Sequence, residues 1–280
     1  MSQKSMPLMQ FLLLLLLSKQ LTDKVVMNII LFSLKDKTKS DFFAFSCKDK
    51  RYLHIKNILH LAVGESFRAG LINGMLGSGN IIELNEKHVL FKFESTCRPK
   101  PLHSIRMILG ISRPIQLKRT LKDLTTLGVE KIHLVGTVLG EKSYMSSTLL
   151  STNEIEKYFI EGASQAGSTL LPFCDIHTSL HKFFSSESGQ NMSDTKLLFD
   201  LVKNAHNAPF LSHDHSTNII EENKPIYIAI GSERGWSEGE RELFLQNDFR
   251  LITLGDRILR VETATIATVS YVLTKTLWSS

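Results

Sequence analysis

The residues with the clearest chemical potential lie in a glycine loop, Gly231 to Gly235, which follows an apolar run ending at Ile230. Ser237 and Glu240 have the spacing of a capping box, which predicts that a helix begins directly after the loop. Loops between a strand and a helix expose backbone amides and form the ligand sites of α/β sheets. The loop has neither a P-loop signature nor a GxGxxG pattern. By itself it is as typical of a plain turn as of a site for an adenosine or a carboxylate.

A second turn of the same kind follows the strand predicted at Leu251 to Leu254. Gly255 ends this strand, and small and β-branched residues predict a helix from Val261 to about Leu273. Arg260 and Glu262 stand at the start of that helix, where the helix dipole favours a carboxylate. The two residues are therefore candidates for a catalytic pair, and the alternative is an ordinary solvated ion pair.

Basic residues are concentrated from Arg98 to Lys122, a segment that contains no acid and is followed by Asp123. Such a cluster can contact the phosphates of RNA, although a solvated helix side explains the charge nearly as well. The whole chain has a net charge of +5 and a pI of about 9.0, which permits an acidic partner without requiring one. The basic residues of the segment are Arg98, Lys100, Arg106, Arg113, Lys118, Arg119 and Lys122.

Metal ligands and thiols show no recognisable spacing. His177 with His181, and His213 with His215, lack a third ligand at useful spacing, and the HExxH motif is absent, so no metal site is predicted. The cysteines are odd in number and lack CxxC spacing, which is typical of the reduced thiols of a cytosolic protein. They are Cys47, Cys97 and Cys174.

Arg98 to Pro101 is a stiff boundary in the chain, because both prolines disfavour a helix before them. The secondary structure predicted before this boundary differs from that predicted after it. Residues 27–97 hold short apolar stretches separated by Gly and Asn turns, which is typical of a small β-barrel. In residues 98–280 strands alternate with helices, including one that ends at Gly128 and one predicted at Asp194 to Lys203. The sequence therefore predicts an α/β protein with two domains, the second built on a largely parallel sheet.

Residues 1–26 do not fit this division. The leucine run from Leu8 to Leu17 resembles a signal-peptide core, but no small-residue cleavage site follows it. The run is also shorter than the roughly 20 apolar residues that span a bilayer. Because Met27 to Phe32 has the pattern of a first strand, we expect residues 1–26 to be an extension outside the fold, and no membrane segment.

Taken together, these stretches resemble the RsmE family of ribosomal RNA methyltransferases, within the knotted SPOUT class. The resemblance covers about residues 27–275 and has weaker support from H-I-K-N-I-L-H-L-A-V-G-E at His54 to Glu65. The strings that carry it are I-G-S-E-R-G-W-S-E-G-E at Ile230 to Glu240, L-G-D-R-I-L-R-V-E-T-A at Leu254 to Ala264, and T-L-K-D-L-T-T-L-G-V at Thr120 to Val129.

The resemblance implies a PUA-like β-barrel over residues 27–97 and a SPOUT domain over 98–280, whose trefoil knot binds S-adenosylmethionine. It also implies a cytoplasmic homodimer. A knot of this kind places the two glycine turns side by side, so we expect both to contact the cofactor. The residues expected to bind it are Ile230, Gly231, Glu233, Gly235, Leu254, Gly255, Ile258 and Leu259.

The reaction that the resemblance implies is methylation of the N3 ring nitrogen of a specific uridine in 16S ribosomal RNA of the small subunit. That nitrogen becomes nucleophilic only when its proton leaves or when a cation stabilises the developing anion. Arg260 is expected to stabilise the anion, and Glu262 is expected to orient Arg260 or take the proton. The residues expected to contact RNA are Arg106, Arg113, Lys118 and Arg257.

Several positions depart from the family pattern. The first loop usually reads G-P-E-G-G, whereas Ser232 replaces the proline here and Arg234 replaces a glycine. A positive φ at Arg234 would cost about 1 to 2 kcal/mol. Ser164 and Ser168 stand where an acid and an arginine are usual, and His60 where an arginine is common. These differences predict weaker RNA binding, and the alternative function is a catalytically weakened RNA-binding paralogue with the same fold.

Overall fold

A computed structural model describes residues 28–38, 40–186, 189, 195–200 and 225–277 of the 280-residue chain. The predicted extension, residues 1–26, and the histidine pair at 213 and 215 lie outside the described residues. Within the described ranges, no helix combines the length and the apolar character needed to cross a membrane.

The first sheet has five strands in the order β1-β3-β4-β5-β2, and only the β1–β3 pair is parallel. Its core is aromatic, because Phe32, Phe45, Phe67 and Phe91 are buried and their rings pack together. A short helix, α1 (Lys50–Asn57), follows β2. The strands are β1 (Ile30–Phe32), β2 (Phe43–Ser46), β3 (Ser66–Leu71), β4 (Leu76–Leu84) and β5 (His88–Cys97).

The second sheet has six strands in the order β11-β9-β10-β6-β7-β8, and every neighbouring pair is parallel. Because all six strands point the same way, their carboxyl ends lie along one edge of the sheet. The strands are β6 (His103–Gly110), β7 (Val129–Val135), β8 (Phe173–His177), β9 (Thr195–Phe199), β10 (Ile226–Ile230) and β11 (Arg250–Ile252).

Helices cover both faces of this sheet. One face carries Met107 and Leu109 and packs against α2, α3 and α6, whereas the other carries Ile108 and Tyr227 and packs against α4 and α5. The helices are α2 (Pro114–Thr126), α3 (Thr152–Ala166), α4 (Leu180–Phe184), α5 (Glu238–Gln246) and α6 (Val261–Leu277). Short 3₁₀ turns lie at Leu34–Asp36, Lys142–Ser146 and Thr148–Leu150.

Local signals in the sequence correspond closely to the helix ends. Gly128, just past α2, has a φ of 75°, which confirms the predicted C′ glycine. The capping box of Ser237 and Glu240 is also confirmed, because both of its reciprocal hydrogen bonds form. The spacing of Ser151 and Glu154 predicts a second capping box, and Ser151 does occupy the N-cap of α3, but its hydroxyl makes no capping hydrogen bond, so this prediction is wrong.

The helix predicted at Asp194 to Lys203 is wrong over residues 195–199, which form strand β9. This strand lies between β10 and β11, so both of its edges are paired. Leu197, Leu198 and Phe199 are all buried. A short apolar run of this kind does not distinguish a central strand from a buried helix by periodicity, and here the pairing on both sides decides for the strand.

The two sheets contact each other through the C-terminal end of α3 and the loop after it. The Ile29 amide donates to the Ser164 carbonyl at 3.1 Å, and the Ser164 hydroxyl donates back to the Ile29 carbonyl. The Asn73 amide donates to the Thr169 carbonyl at 2.8 Å, and the Asn73 side chain accepts from the Leu171 amide at 2.9 Å. Ser164 therefore joins the two sheets, which explains a small polar residue at this position.

Candidate functional site

A cavity of about 640 Å³ opens at the carboxyl ends of β9 and β10. Two loops face each other across it, and we call residues 230–235 the first wall and residues 254–259 the second wall. The first wall starts at the end of β10 and the second wall follows β11. Only β9 separates these two strands in the sheet, so the two loops lie close together. The cavity is lined by Phe199, Asp200, Ile230, Gly231, Ser232, Glu233, Arg234, Gly235, Glu238, Arg241, Leu254, Arg257, Ile258, Leu259, Val261 and Ala264.

The cavity contains seven of the eight residues predicted to bind a cofactor. From the first wall these are Ile230, Gly231, Glu233 and Gly235, and from the second wall Leu254, Ile258 and Leu259. The eighth residue, Gly255, does not line the cavity. Its φ of 119° instead allows the turn that directs the second wall away from β11.

Glycine is required at both ends of the first wall. A Cβ on Gly231 would lie 2.7 Å from the backbone of Gly235, which is too close for any side chain. Gly235 has a φ of 71°, and its amide donates to the Ser232 carbonyl at 2.8 Å. Arg234 is not among the non-glycine residues with positive φ, so the strain considered for it is absent. The left-handed residue of the loop is the glycine after it.

Trp236, the residue after the first wall, attaches this wall to the hydrophobic core. Its side chain is fully buried, and its ring centroid lies 4.8 Å from that of Phe244 in α5. Glu240, also buried, accepts hydrogen bonds from the Ser237 amide at 2.8 Å and from the Val138 amide at 2.9 Å. The loop that carries the first wall is therefore held to both α5 and the loop after β7.

Two further contacts attach the first wall to neighbouring loops. The Glu233 carboxylate accepts from the Arg113 backbone amide at 2.7 Å, where β6 leads into α2. The hydroxyl of Ser232, the residue that replaces the family's proline, lies 3.0 Å from the hydroxyl of Thr137. Ser232 is buried, and its hydroxyl makes a polar contact that a proline at this position could not make.

Among the described residues, the second wall has far fewer attachments. Asp256, Arg257 and Ile258 are exposed, and the relative solvent exposure of Ile258 is 87%. Within the loop, the Thr253 hydroxyl donates to the Gly255 carbonyl at 2.9 Å. The second wall therefore presents its side chains to the cavity and to solvent.

The proposed catalytic pair lies beside the cavity. Arg260 is exposed, its neighbours Leu259 and Val261 line the cavity, and its carbonyl accepts from the Ala264 amide in the first turn of α6. Glu262 is half-buried, with one carboxylate oxygen enclosed and without a hydrogen-bond partner. Within the described parts of the chain, no ion pair joins Arg260 to Glu262.

Glu262 faces α2. Burial raises the pKa of Asp123 in α2 above its ordinary value, and the Glu262 carboxylate adds to this rise. A partly buried carboxylate that lacks a hydrogen-bond partner is unfavourable, which makes Glu262 an unusual residue whatever its role.

The cavity also contains charged residues that the sequence analysis missed. Asp200 accepts from Arg241 Nε at 2.7 Å, and Arg241 Nη1 also pairs with Glu238 at 2.9 Å. Asp200 directly follows β9, so the incorrect helix prediction concealed it. The available signal was an apolar run followed by an acid, which is typical of a strand that ends at a ligand site.

Of the four basic residues expected to contact RNA, only Arg257 lines the cavity. Arg113 is exposed near the first wall. The Lys118 ammonium lies 5.5 Å from the centroid of the Tyr158 ring, between α2 and α3. Arg106 donates to the Tyr227 hydroxyl at 3.0 Å and pairs with Glu130. The structure therefore distributes these residues over separate surfaces.

Strands β7 and β8 bring together three possible metal ligands that the sequence spacing did not reveal, His133, Asp175 and His177. Their ligand atoms all lie within 4.8 Å of one another. His133 Nδ1 lies 3.2 Å from His177 Nε2, and the Lys131 ammonium pairs with the Asp175 carboxylate at 2.8 Å. Burial lowers the pKa of His133 to about 3, so this ring is neutral at physiological pH. Each of the three side chains thus has a hydrogen-bond or ion-pair partner among the other side chains of the protein.

Comparison with known proteins gives the chain a family. A family model described as an RNA methyltransferase domain matches residues 98–273. The ribosomal RNA small subunit methyltransferase E of Treponema pallidum is 40% identical over 253 residues, covering 88% of this chain and 91% of that protein. The chain belongs to the RsmE family of RNA methyltransferases.

Two other members of the RsmE family show the same relationship. The ribosomal RNA small subunit methyltransferase E 1 of Borreliella burgdorferi is 33% identical over 226 residues, covering 79% of this chain and 89% of that protein. A crystal structure of the Neisseria gonorrhoeae protein, described as bound to S-adenosyl methionine, has a TM-score of 0.65 at 22% identity, covering 89% of this chain and 98% of that one. The RsmE fold therefore extends over most of this chain.

Proposed function

We propose that the chain transfers a methyl group from S-adenosylmethionine to N3 of a specific uridine in 16S ribosomal RNA of the small subunit. The observation that carries this proposal is that both glycine loops of the family's motifs line one cavity at the carboxyl edge of the parallel sheet. The names of the relatives support ribosomal RNA as the substrate. The Neisseria gonorrhoeae structure supports the cofactor.

The cavity fits S-adenosylmethionine in size and in chemistry. Its volume of about 640 Å³ lies within the usual range of about 300 to 1,000 Å³ for small-molecule sites. The close approach of Gly231 and Gly235 leaves no room for side chains, so backbone groups face the ligand there. The residues proposed to hold the cofactor are Ile230, Gly231, Glu233, Gly235, Leu254, Ile258 and Leu259, with Gly255 supporting them through the turn that it forms.

The bound cofactor would supply an electrophilic methyl group. The protein must then place the uracil ring in line and stabilise the charge left when the N3 proton departs. We assign the second task to Arg260, which is exposed, stands between the lining residues Leu259 and Val261, and has no ion-pair partner in the described chain. Glu262 has an enclosed carboxylate oxygen free of hydrogen bonds, and we assign it the proton-accepting or orienting role.

The remaining features of the family enter as proposals of the same kind. We propose residues 27–97 as a PUA-like RNA-binding domain and residues 98–280 as a SPOUT domain with a trefoil knot, acting as a cytoplasmic homodimer. We retain Arg106, Arg113, Lys118 and Arg257 as RNA contacts, with Arg257 nearest to the reaction.

Titration calorimetry with S-adenosylmethionine, combined with mass spectrometry of nucleosides from treated small ribosomal subunits, tests the proposal. We expect cofactor binding and the appearance of 3-methyluridine in subunits that lacked it. Binding of RNA without any methylated product would instead support the RNA-binding paralogue.

The role of Arg260 requires a matched pair of variants. Arg260→Ala should lower kcat about 100- to 1,000-fold while cofactor affinity stays unchanged, because only the transition state carries the anion. Arg250→Ala removes an exposed arginine at the start of β11 and serves as the control. Methyl transfer by Arg260→Ala at the rate of this control would remove Arg260 from the mechanism.

A further inference from the structure

A second cavity, of about 700 Å³, lies at the carboxyl ends of β7 and β8. Its lining comes from the loop after β7, the turn after β8 and the first turn of α5. It borders the first cavity, because Thr137 in its lining contacts Ser232 of the first wall across 3.0 Å. The two cavities thus open along the same edge of the sheet, with a single layer of side chains between them.

The second cavity combines two exposed hydrogen-bond donors, a lysine and a histidine, with an apolar floor. Lys142 and His181 are exposed at its rim, and neither side chain has a hydrogen bond or an ion pair within the described chain. The floor is formed by Ile111, Met145 and Leu180. A charged group above an apolar surface is the combination that a nucleotide requires, since its phosphate is anionic and its base presents a flat, weakly polar face.

Two acids belong to the described lining, and the oxygens of one of them are already occupied by hydrogen bonds. The Glu240 carboxylate lines the cavity, but its oxygens accept from the Val138 amide, the Ser237 amide and the Ser237 hydroxyl. Glu141 is the other acid of the lining, and it lies exposed beside Lys142. Two side chains of the described lining, Lys142 and His181, can therefore donate to a phosphate, against one exposed carboxylate, Glu141.

We propose that the second cavity receives a nucleotide of the substrate RNA next to the target uridine, with its phosphate between Lys142 and His181. The inference rests on the proposed function, because it takes the first cavity as the site of methyl transfer. Side-by-side cavities on one edge suit a single strand whose bases are unstacked, which is how proteins read single-stranded RNA. A volume of about 700 Å³ accommodates one nucleotide.

The test is a double variant, Lys142→Ala with His181→Ala, in the full chain. Both side chains are exposed, so the fold should persist, and thermal unfolding checks this. We expect the Kd for unmethylated small ribosomal subunits to rise about tenfold. The slope of log K against log salt should fall by about 0.7, because one phosphate contact of a single strand is lost. The Kd for S-adenosylmethionine should not change.

Lys157→Ala is the matched control, since Lys157 is exposed on α3 and lines neither cavity. Equal RNA affinity and equal salt slope in the double variant and the control would overturn the inference, while leaving wild-type methylation and the proposed function intact. A loss of cofactor affinity in the double variant would also overturn it, because the second cavity would then serve the cofactor. Failure of the proposed function is distinct, since the wild-type chain itself would form no methylated product.

Discussion

The two walls of the first cavity come from the same sequence pattern but differ in how they are attached to the rest of the protein. Each wall contains a glycine turn and connects a strand to a helix. The first wall exposes Glu233 and Arg234, but it is attached through Trp236 in the core, Glu240 at the helix cap and the Glu233 carboxylate on the neighbouring loop. The second wall, in contrast, leaves Arg257 and Ile258 in solvent.

This difference separates two tasks of a binding site. A wall made of backbone and held by buried side chains keeps its shape without a ligand, so it provides preorganisation. A wall made of exposed side chains provides contacts that matter only when a ligand or a partner is present. We therefore expect substitutions in the first wall to reduce stability and binding together, and substitutions in the second wall to reduce binding alone.

The largest effect is expected for Trp236→Ala. Removal of this fully buried side chain leaves a cavity under the first wall and should cost about 3 to 5 kcal/mol of the free energy of unfolding, measured with urea. Cofactor binding should be lost with it. Ile258→Ala is the control in the second wall and should change the free energy of unfolding by less than about 0.5 kcal/mol. Equal costs for the two variants would contradict the contrast between the walls.

Gly231→Ala should have the next largest effect. A Cβ at this position would lie 2.7 Å from the Gly235 backbone, so the loop must move, at a cost of about 1 to 3 kcal/mol. Calorimetry should show a clear loss of cofactor affinity. Gly239→Ala is the matched control, because a Cβ there meets no atom within 4 Å and should stabilise α5 by about 0.5 kcal/mol. Normal cofactor binding by Gly231→Ala would mean that the first wall adapts.

Glu240→Gln tests the hydrogen bonds that hold the first wall. One amide nitrogen cannot accept from the donors that the carboxylate now serves, so we expect a loss of about 1 to 2 kcal/mol in the free energy of unfolding. Glu242→Gln, on the exposed side of the same helix, should have almost no effect. A Glu240→Gln variant as stable as this control would show that the wall is held by packing alone.

Arg257→Ala should have the smallest effect on stability, below about 0.5 kcal/mol, because the side chain is exposed. If Arg257 contacts a phosphate, the slope of log K against log salt for small ribosomal subunits should fall by about 0.7 to 0.9. An unchanged slope would remove Arg257 from the RNA contacts. A destabilisation of about 2 kcal/mol would show that the second wall is built like the first.

Predictions from local patterns succeeded where the cause was local. The short apolar stretches predicted within residues 27–97 include β3, and the glycine at 128 ends α2 as expected. The capping box after the first wall forms with both of its hydrogen bonds. Each of these features depends on residues only a few positions apart, so the sequence carries the full signal.

Predictions failed where the local structure depends on residues that are distant in the sequence. The run Leu197-Leu198-Phe199 became a strand because β10 and β11 pair with it on either side. Asp200 directly follows this run and lines the cavity, which the wrong helix prediction did not indicate. The cluster around His133 has the same origin, since adjacent parallel strands bring residue 133 beside residues 175 and 177.

The sequence by itself determined the glycine turns, the helix caps, the apolar strands and the family that these motifs indicate. Only the tertiary structure decided that Gly231 and Leu259 face one cavity, and that Trp236 supports one wall while the other stands in solvent. The physical reason is that caps and turns are satisfied within a few residues, whereas the order of strands depends on pairing between distant segments. The strand order β11-β9-β10 is what places the two turns opposite each other.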